Sequence, residues 1–175
     1  MATRKSIWIM IGILIIATGI LGSATEAGAQ TYTMKCREGG HLPRMHTIEV
    51  GDVPGHFIGV GELVGVLSCD DGSVATTSNK PIFDYIKGNG KYQSYWVATY
   101  EDGSTSWIRL QGTATLDADR KTTWWEGTSE FIKGTGRFEG IQGSGTSTGK
   151  RFSALPGAGA QYYIDWTFTY TLPSK

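Results

Sequence analysis

Lys91-Tyr92-Gln93-Ser94-Tyr95-Trp96-Val97-Ala98-Thr99-Tyr100, then Glu101-Asp102-Gly103-Ser104, then Ser106-Trp107-Ile108-Arg109-Leu110-Gln111-Gly112-Thr113-Ala114-Thr115-Leu116-Asp117, is the stretch that decides the fold. Successive side chains of an extended chain point to opposite faces, so a period of two marks a strand with one buried and one wetter face. In the first run the even positions read Tyr92, Ser94, Trp96, Ala98 and Tyr100. In the second, Ser106, Ile108, Leu110, Gly112, Ala114 and Leu116 share one face, opposite Trp107, Arg109, Gln111, Thr113, Thr115 and Asp117. Between the runs, Asp102-Gly103 supplies residues that tolerate positive φ, the backbone geometry of a tight turn. The two runs form a β-hairpin.

The same alternation continues outward. Toward the C-terminus, Tyr162, Ile164, Trp166, Phe168, Tyr170 and Leu172 face one way and Tyr163, Asp165, Thr167, Thr169 and Thr171 the other, and Pro173 ends the run because proline cannot donate to a ladder. Residues 56–68 alternate as well, with Gly59, Gly61 and Gly65 suggesting a strongly bent strand or a close backbone approach. Asp70-Asp71-Gly72 is the turn that follows. Shorter strands are expected over 32–37, 47–50, 82–87, 122–133 and 143–152. No amphipathic helix follows residue 30. Eight or nine strands joined by short turns, without helical crossovers, are mostly antiparallel. Such a sheet hides its edges by closing into a barrel or by folding into a sandwich, and the glycine-laced strands favour the barrel.

The first thirty residues have a different character. Arg4 and Lys5 precede an apolar run from Ile7 to Leu21, and small residues follow up to Ala29. This order of parts is that of a cleavable secretory signal, and the apolar run, about 15 residues, falls short of the roughly 20 that span a bilayer. A retained anchor is the alternative. Ala27-Gly28-Ala29 offers small residues for cleavage after Ala29, which divides the chain into a signal over 1–29 and a single barrel domain over 30–175. The expected location is secreted or periplasmic, with no membrane span after cleavage.

Charge narrows the partners. The chain carries 16 Lys and Arg against 16 Asp and Glu, without charge runs. Nucleic acid and anionic lipid both draw on concentrated basic side chains, so neither is an expected partner. Cys36 and Cys69, the only two cysteines, are a disulfide candidate in an oxidising compartment, against the alternative of two separate buried thiols.

The densest local signal is Lys133-Gly134-Thr135-Gly136-Arg137-Phe138-Glu139-Gly140-Ile141-Gln142-Gly143-Ser144-Gly145. Gly134 and Gly136 permit a tight turn, and Phe138 with Ile141 has the i, i+3 spacing that one helical turn would set together on the core. The glycine spacing matches neither a P-loop nor a dinucleotide fingerprint. With the strand Tyr162-Tyr163-Ile164-Asp165-Trp166-Thr167-Phe168 some way downstream, this motif resembles the C-terminal half of the allene oxide cyclase-like barrel proteins, whose barrel the dirigent proteins share. The resemblance covers roughly residues 90–172. It implies an eight-stranded antiparallel barrel with an internal cavity, commonly in oligomers, and it carries no catalytic residue over to this chain.

Constellations that could carry chemistry are sparse. His41, His46 and His56 lie within sixteen residues, but their spacing fits no metal-ligand template, and no metal or other cofactor is expected. There is no Gly-x-Ser-x-Gly elbow. Glu62, Glu126 and Asp165 are carboxylates embedded in strands; Glu62 or Glu126 would become an acid or base if it pointed inward, whereas alternation puts Asp165 outside. Tyr92, Trp96, Trp124, Trp125, Trp166, Phe168 and Tyr170 could line a cavity or simply fill the core.

The expectation is therefore an exported barrel binding a small apolar or aromatic ligand. Its candidate cavity lining is Tyr92, Trp96, Ile108, Glu62, Glu126, Trp166 and Phe168. An isomerase- or cyclase-type enzyme on a hydrophobic substrate is the second reading. A self-associating envelope protein, meeting its neighbours through exposed aromatics such as Trp107 and Trp125, is the third. A small hydrophobic ligand and further copies of the chain are the candidate partners.

Overall fold

The computed structural model describes residues 30–153 and 158–174. The expected signal over 1–29, with its cut after Ala29, lies outside the described residues. Eight strands run in sequence: β1 (Thr31–Glu49), β2 (His56–Cys69), β3 (Val74–Ile86), β4 (Asn89–Tyr100), β5 (Thr105–Asp117), β6 (Thr122–Thr135), β7 (Gln142–Arg151) and β8 (Gln161–Thr171). Each pairs antiparallel with its neighbour, and β8 pairs back onto β1, so the barrel is closed. One short 3-10 turn, Gly136–Phe138, interrupts the strand sequence.

The hairpin of β4 and β5 has Trp96 opposite Ile108 and Ser94 opposite Leu110. Its turn is closed by the Tyr100 N–H donating to the Ser104 carbonyl at 2.9 Å, with Gly103 at φ +78. Inward parity on β5 buries Ser106, Ile108 and Leu110, and on β8 Tyr162, Ile164, Trp166 and Phe168. In β2 the odd positions face in, burying Leu63 and Leu67 and leaving Ile58, Val60 and Val66 outside.

Two elements differ from the sequence expectation. Residues 32–37 and 47–50 are not separate strands but parts of the single β1, whose pairing with β2 shifts register between His41 and Arg44. The extra residues of a bulge let the ladder continue past Pro43, which lacks an N–H to donate. The expected strand over 82–87 begins much earlier, at Val74, and contains Pro81. On its β4 side Pro81 pairs with Ser94, but on its β2 side the ladder skips from Val60–Ile82 to Leu63–Asn79, leaving a gap where no donor is available.

Cys36 and Cys69 sit opposite one another on β1 and β2 and form a disulfide. In the chain-entropy account, closing such a loop contributes about 3 to 4 kcal/mol.

The two ends of the barrel are unlike. At one, where β1 begins and β8 ends, Phe138 and Ile141 are both buried. The Phe138 ring lies 4.7 Å from Tyr100 and 6.4 Å from Tyr170, so the aromatic cluster stoppers the barrel. At the other end stand the 50–55 turn and the ends of β3, β5 and β7, and here the interior opens.

Candidate functional site

Between the two ends the interior holds a buried carboxylate. Glu38 follows Met34 and Cys36 at inward parity on β1 and has no exposed surface. Four donors surround it, each from a strand that the closed sheet brings across the barrel. Thr77 on β3 and Tyr162 on β8 donate to Oε1 at 2.6 and 2.8 Å, and the indole N–H groups of Trp96 and Trp166 each donate to Oε2 at 3.0 Å. Two hydrogen bonds to each oxygen satisfy the group's acceptor capacity, the condition under which a charge tolerates burial. Burial and then the Glu38 charge push the Tyr162 hydroxyl far above the ordinary tyrosine range, so it stays a donor.

The position of Tyr162 depends on a glycine pair. Gly40 and Gly65 face each other across β1 and β2, and a Cβ on either would stand 2.8 Å from the Tyr162 hydroxyl oxygen. The same device recurs on the far side of the barrel. Gly112 and Gly127 are paired across β5 and β6, and a Cβ on either would crowd the Tyr92 hydroxyl, which donates to the Glu126 carbonyl at 3.3 Å.

On the open side of the Glu38 belt lies a cavity of about 40 Å³. In this measure a water molecule occupies about 10–15 Å³, so the space takes a few waters. Leu42, Met45, Phe83 and Trp125 supply apolar walls, while Asn79, Ser94, Ser147 and Arg151 bring polar groups to it. Ser94 and Asn79 are hydrogen-bonded to each other. Tyr85 and Tyr92 complete the wall, and burial raises both hydroxyls, Tyr85 to about 12.

Arg151 is buried, donates to the Thr123 hydroxyl at 2.8 Å and sits 5.5 Å from the centre of the Trp125 ring. Desolvation lowers its pKa to about 10, still above neutrality, so a cation faces the cavity at physiological pH. A few placed polar groups among aromatic and aliphatic walls is the composition of a small-molecule site.

The residues expected to line a cavity part company here. Tyr92 lines it. Trp96 and Trp166 belong to the Glu38 belt, and Ile108 and Phe168 are buried in the core. Glu62 and Glu126 do not point inward, which corrects their place among the lining residues. Glu62 is at outward parity on β2, 3.3 Å from Lys80 and 3.8 Å from Arg44, and Glu126 is exposed on β6 beside Thr113. The physical reason is register: each shares its strand face with exposed residues, and an odd step separates Glu62 from the buried Leu63 and Leu67 and Glu126 from the buried Ser129. Asp165 lies outside, paired with Arg37 at 2.6 Å. Of the histidines, His56 is held between Asp52 at 2.5 Å and Asp84 at 2.8 Å, and His41 and His46 are exposed.

Neither Glu38 nor Arg151 is among the residues the sequence pattern offers as cavity lining. For Glu38 a signal existed, since Met34, Cys36 and Glu38 share parity against Lys35 and Arg37. Arg151 gave none, because the inward face of β7 otherwise consists of Ser147 and glycine.

These features define a small closed antiparallel barrel, stoppered at one end and opening at the other into a cavity with aromatic walls. No family model matches the chain, and no curated protein matches it. Among solved structures, the barrel is similar to a conserved protein of unknown function from Rhodopseudomonas palustris, with a TM-score of 0.54 at 8% identity, over 80% of this chain and 98% of that one. It is also similar to two pterocarpan synthase dirigent proteins. One aligns at 13% identity with a TM-score of 0.49 over 82% of this chain and 92% of its own, the other at 12% and 0.48 over 83% and 97%. The likeness to the Rhodopseudomonas palustris protein is one of fold.

Proposed function

We propose that this chain is an exported β-barrel that binds a small apolar or aromatic molecule through the open end of the barrel. The reading is carried by the cavity beside Arg151, where four aromatic rings and a few polar groups converge at one end while the other end is stoppered. The ligand is compact, because the cavity is small, and it enters as Met45 and Trp125, both only partly buried, turn aside. Export rests on the leader-like first 29 residues and agrees with the Cys36–Cys69 disulfide, since disulfides persist in oxidising compartments.

A binding role is favoured over an isomerase or cyclase by the state of Glu38. A general acid or base has to reach the substrate, and both Glu38 oxygens are already occupied by four donors in a site without exposed surface.

The test is titration with benzoate, a one-ring aromatic anion, read by the change in tryptophan emission. One probe per barrel is expected, with binding weakened about tenfold or more by Met45→Trp, which fills the mouth. Absence of binding at about 100 µM probe, or binding that Met45→Trp leaves unchanged, would discard the proposal.

A further inference from the structure

Arg151 is the part of the cavity wall that a purely apolar ligand leaves unused. Its side chain is buried at the end of β7 and faces the same space as Met45, Phe83 and Trp125. Two of the partners that hold it in place, the Thr123 hydroxyl and the Ser153 carbonyl, are neutral oxygens, so they fix the guanidinium and bring no charge to set against its own. Among the described residues that line the cavity, Arg151 is the only charged one, and the other polar groups are Asn79, Tyr85, Tyr92, Ser94 and Ser147. Glu38 is turned to its own four donors and does not line the space.

The Tyr85 hydroxyl adds a second donor. Its oxygen is bonded by the Trp125 indole N–H, a group that can only donate, so the Tyr85 proton is left to give, and burial keeps that proton in place. Tyr85 and Arg151 stand near enough for their charges to interact. The cavity, about 40 Å³, has the room of a few waters, which is close to the bulk of one carboxylate group.

We infer that the ligand is a compact monocarboxylic acid, bound as its anion, with the carboxylate against Arg151 and the Tyr85 hydroxyl and its apolar remainder against Met45, Phe83 and Trp125. The inference rests on the binding role proposed above and names the chemical class that the same cavity takes. A guanidinium presents a planar fork of donors that matches the two oxygens of a carboxylate, and the bond gains strength where water is excluded. A neutral ligand would leave the cation buried against apolar atoms, and an ammonium would be repelled by it. A phosphate or a dicarboxylate would bring a second negative charge, and no second cation meets it among the described lining residues.

The experiment compares three one-ring compounds of similar shape on the protein in the form its host accumulates, again read by tryptophan emission: benzoate, neutral benzamide and cationic benzylamine. Benzoate is expected to bind about tenfold or more tightly than benzamide, and benzylamine to show no binding at about 1 mM. Arg151→Gln is expected to weaken benzoate about tenfold or more and to leave any benzamide binding unchanged. Near-ultraviolet circular dichroism checks that the variant keeps the native packing. Should Arg151→Gln fail to fold, NMR of the wild type replaces it, with the Arg151 Nε–H resonance expected to move downfield as benzoate is added.

Benzamide or benzylamine bound as tightly as benzoate overturns the inference and leaves the barrel a binder of small aromatic molecules. So does a benzoate affinity that a folded Arg151→Gln retains, or an Arg151 resonance that benzoate does not move. If none of the three compounds binds, the binding role itself falls and the inference falls with it.

Discussion

The two ends of the barrel are made by the same eight strands and meet opposite ends. At the stoppered end the chain turns inward after β6 and inserts Phe138 and Ile141 between Tyr100 and Tyr170. Arg137 lies across the outside of this plug, 4.6 Å from the Tyr100 ring and 4.9 Å from the Phe138 ring, and 3.7 Å from Asp102. At the open end the buried cation Arg151 and several hydroxyl and amide groups face a cavity. One end gains stability by filling space with rings; the other forgoes some of that burial to keep polar groups near a vacancy. Close packing and the cavity are thereby placed at opposite ends, and the Glu38 belt stands between them.

The largest effect is expected at the belt. Glu38→Leu keeps roughly the volume but strands two indole N–H groups and two hydroxyls in a dry interior, at about 1–3 kcal/mol for each unsatisfied group. A loss of about 5 kcal/mol or more is expected, enough to unfold an average domain of this size. Glu38→Gln should cost clearly less, because its carbonyl oxygen can still receive the indoles while the Thr77 and Tyr162 hydroxyls rotate to accept from its amide. Urea unfolding of the two variants checks the order. Equal losses would mean that the four donors do not act as one belt.

Next comes the plug. Phe138→Ala empties a filled, ring-lined space and is expected to cost about 3–5 kcal/mol, the usual range for a buried phenylalanine. Trp125→Ala at the open end removes a larger ring but leaves a space that already adjoins a cavity and solvent, so about 1–2 kcal/mol is expected. Thermal and urea unfolding of the pair test the contrast directly. If the Trp125 change costs as much as the Phe138 change, the two ends are equally packed and the division of labour between them fails.

The plug and the belt also differ in how far the sequence announces them. Phe138 and Ile141 are legible because a glycine-permitted turn and an i, i+3 spacing are local facts, and Gly136 does adopt φ +61. The hairpin of β4 and β5 is legible for the same reason: alternation and an Asp-Gly turn are written in neighbouring residues. The belt is not local. Glu38 becomes a site only when closure brings β3, β4 and β8 around it, over separations as large as 128 residues.

Glu62 and Glu126 are the strand carboxylates that the alternation offers as acid or base, and the register turns both outward. Alternation fixes which residues share a face and leaves open which face is inside when both are mixed, as in β2 with its glycines on one side and valines on the other. Pro43 and Pro81 obscured strand length, because a proline reads as a break and the structure accommodates each at a bulge or a gap in the ladder.

The smallest effect concerns the rim of the open end, where pH acts on the 50–55 turn. Hydrogen bonds to Asp52 and then Asp84 hold the His56 pKa above its ordinary value, and the bond to His56 holds Asp52 below its own. The two shifts have opposite signs in pH. A raised histidine contributes stability that is full below about 6.5 and is lost as pH rises through the folded value, and a lowered aspartate contributes stability that is lost as pH falls below the ordinary carboxylate range.

The turn is therefore tightest in mildly acidic solution and loosens on both sides. Ring-carbon shifts of His56 followed by NMR should give a midpoint above 6.5, with Asp52→Asn and Asp84→Asn each lowering it. Exchange of the Val50 amide, which donates to the His56 carbonyl, should quicken beyond its intrinsic rise as pH passes that midpoint. The Tyr100 amide in the turn at the stoppered end has no such histidine beside it and should show only the intrinsic rise. If both amides respond alike, the loosening belongs to the whole barrel, and the open end has no pH response of its own.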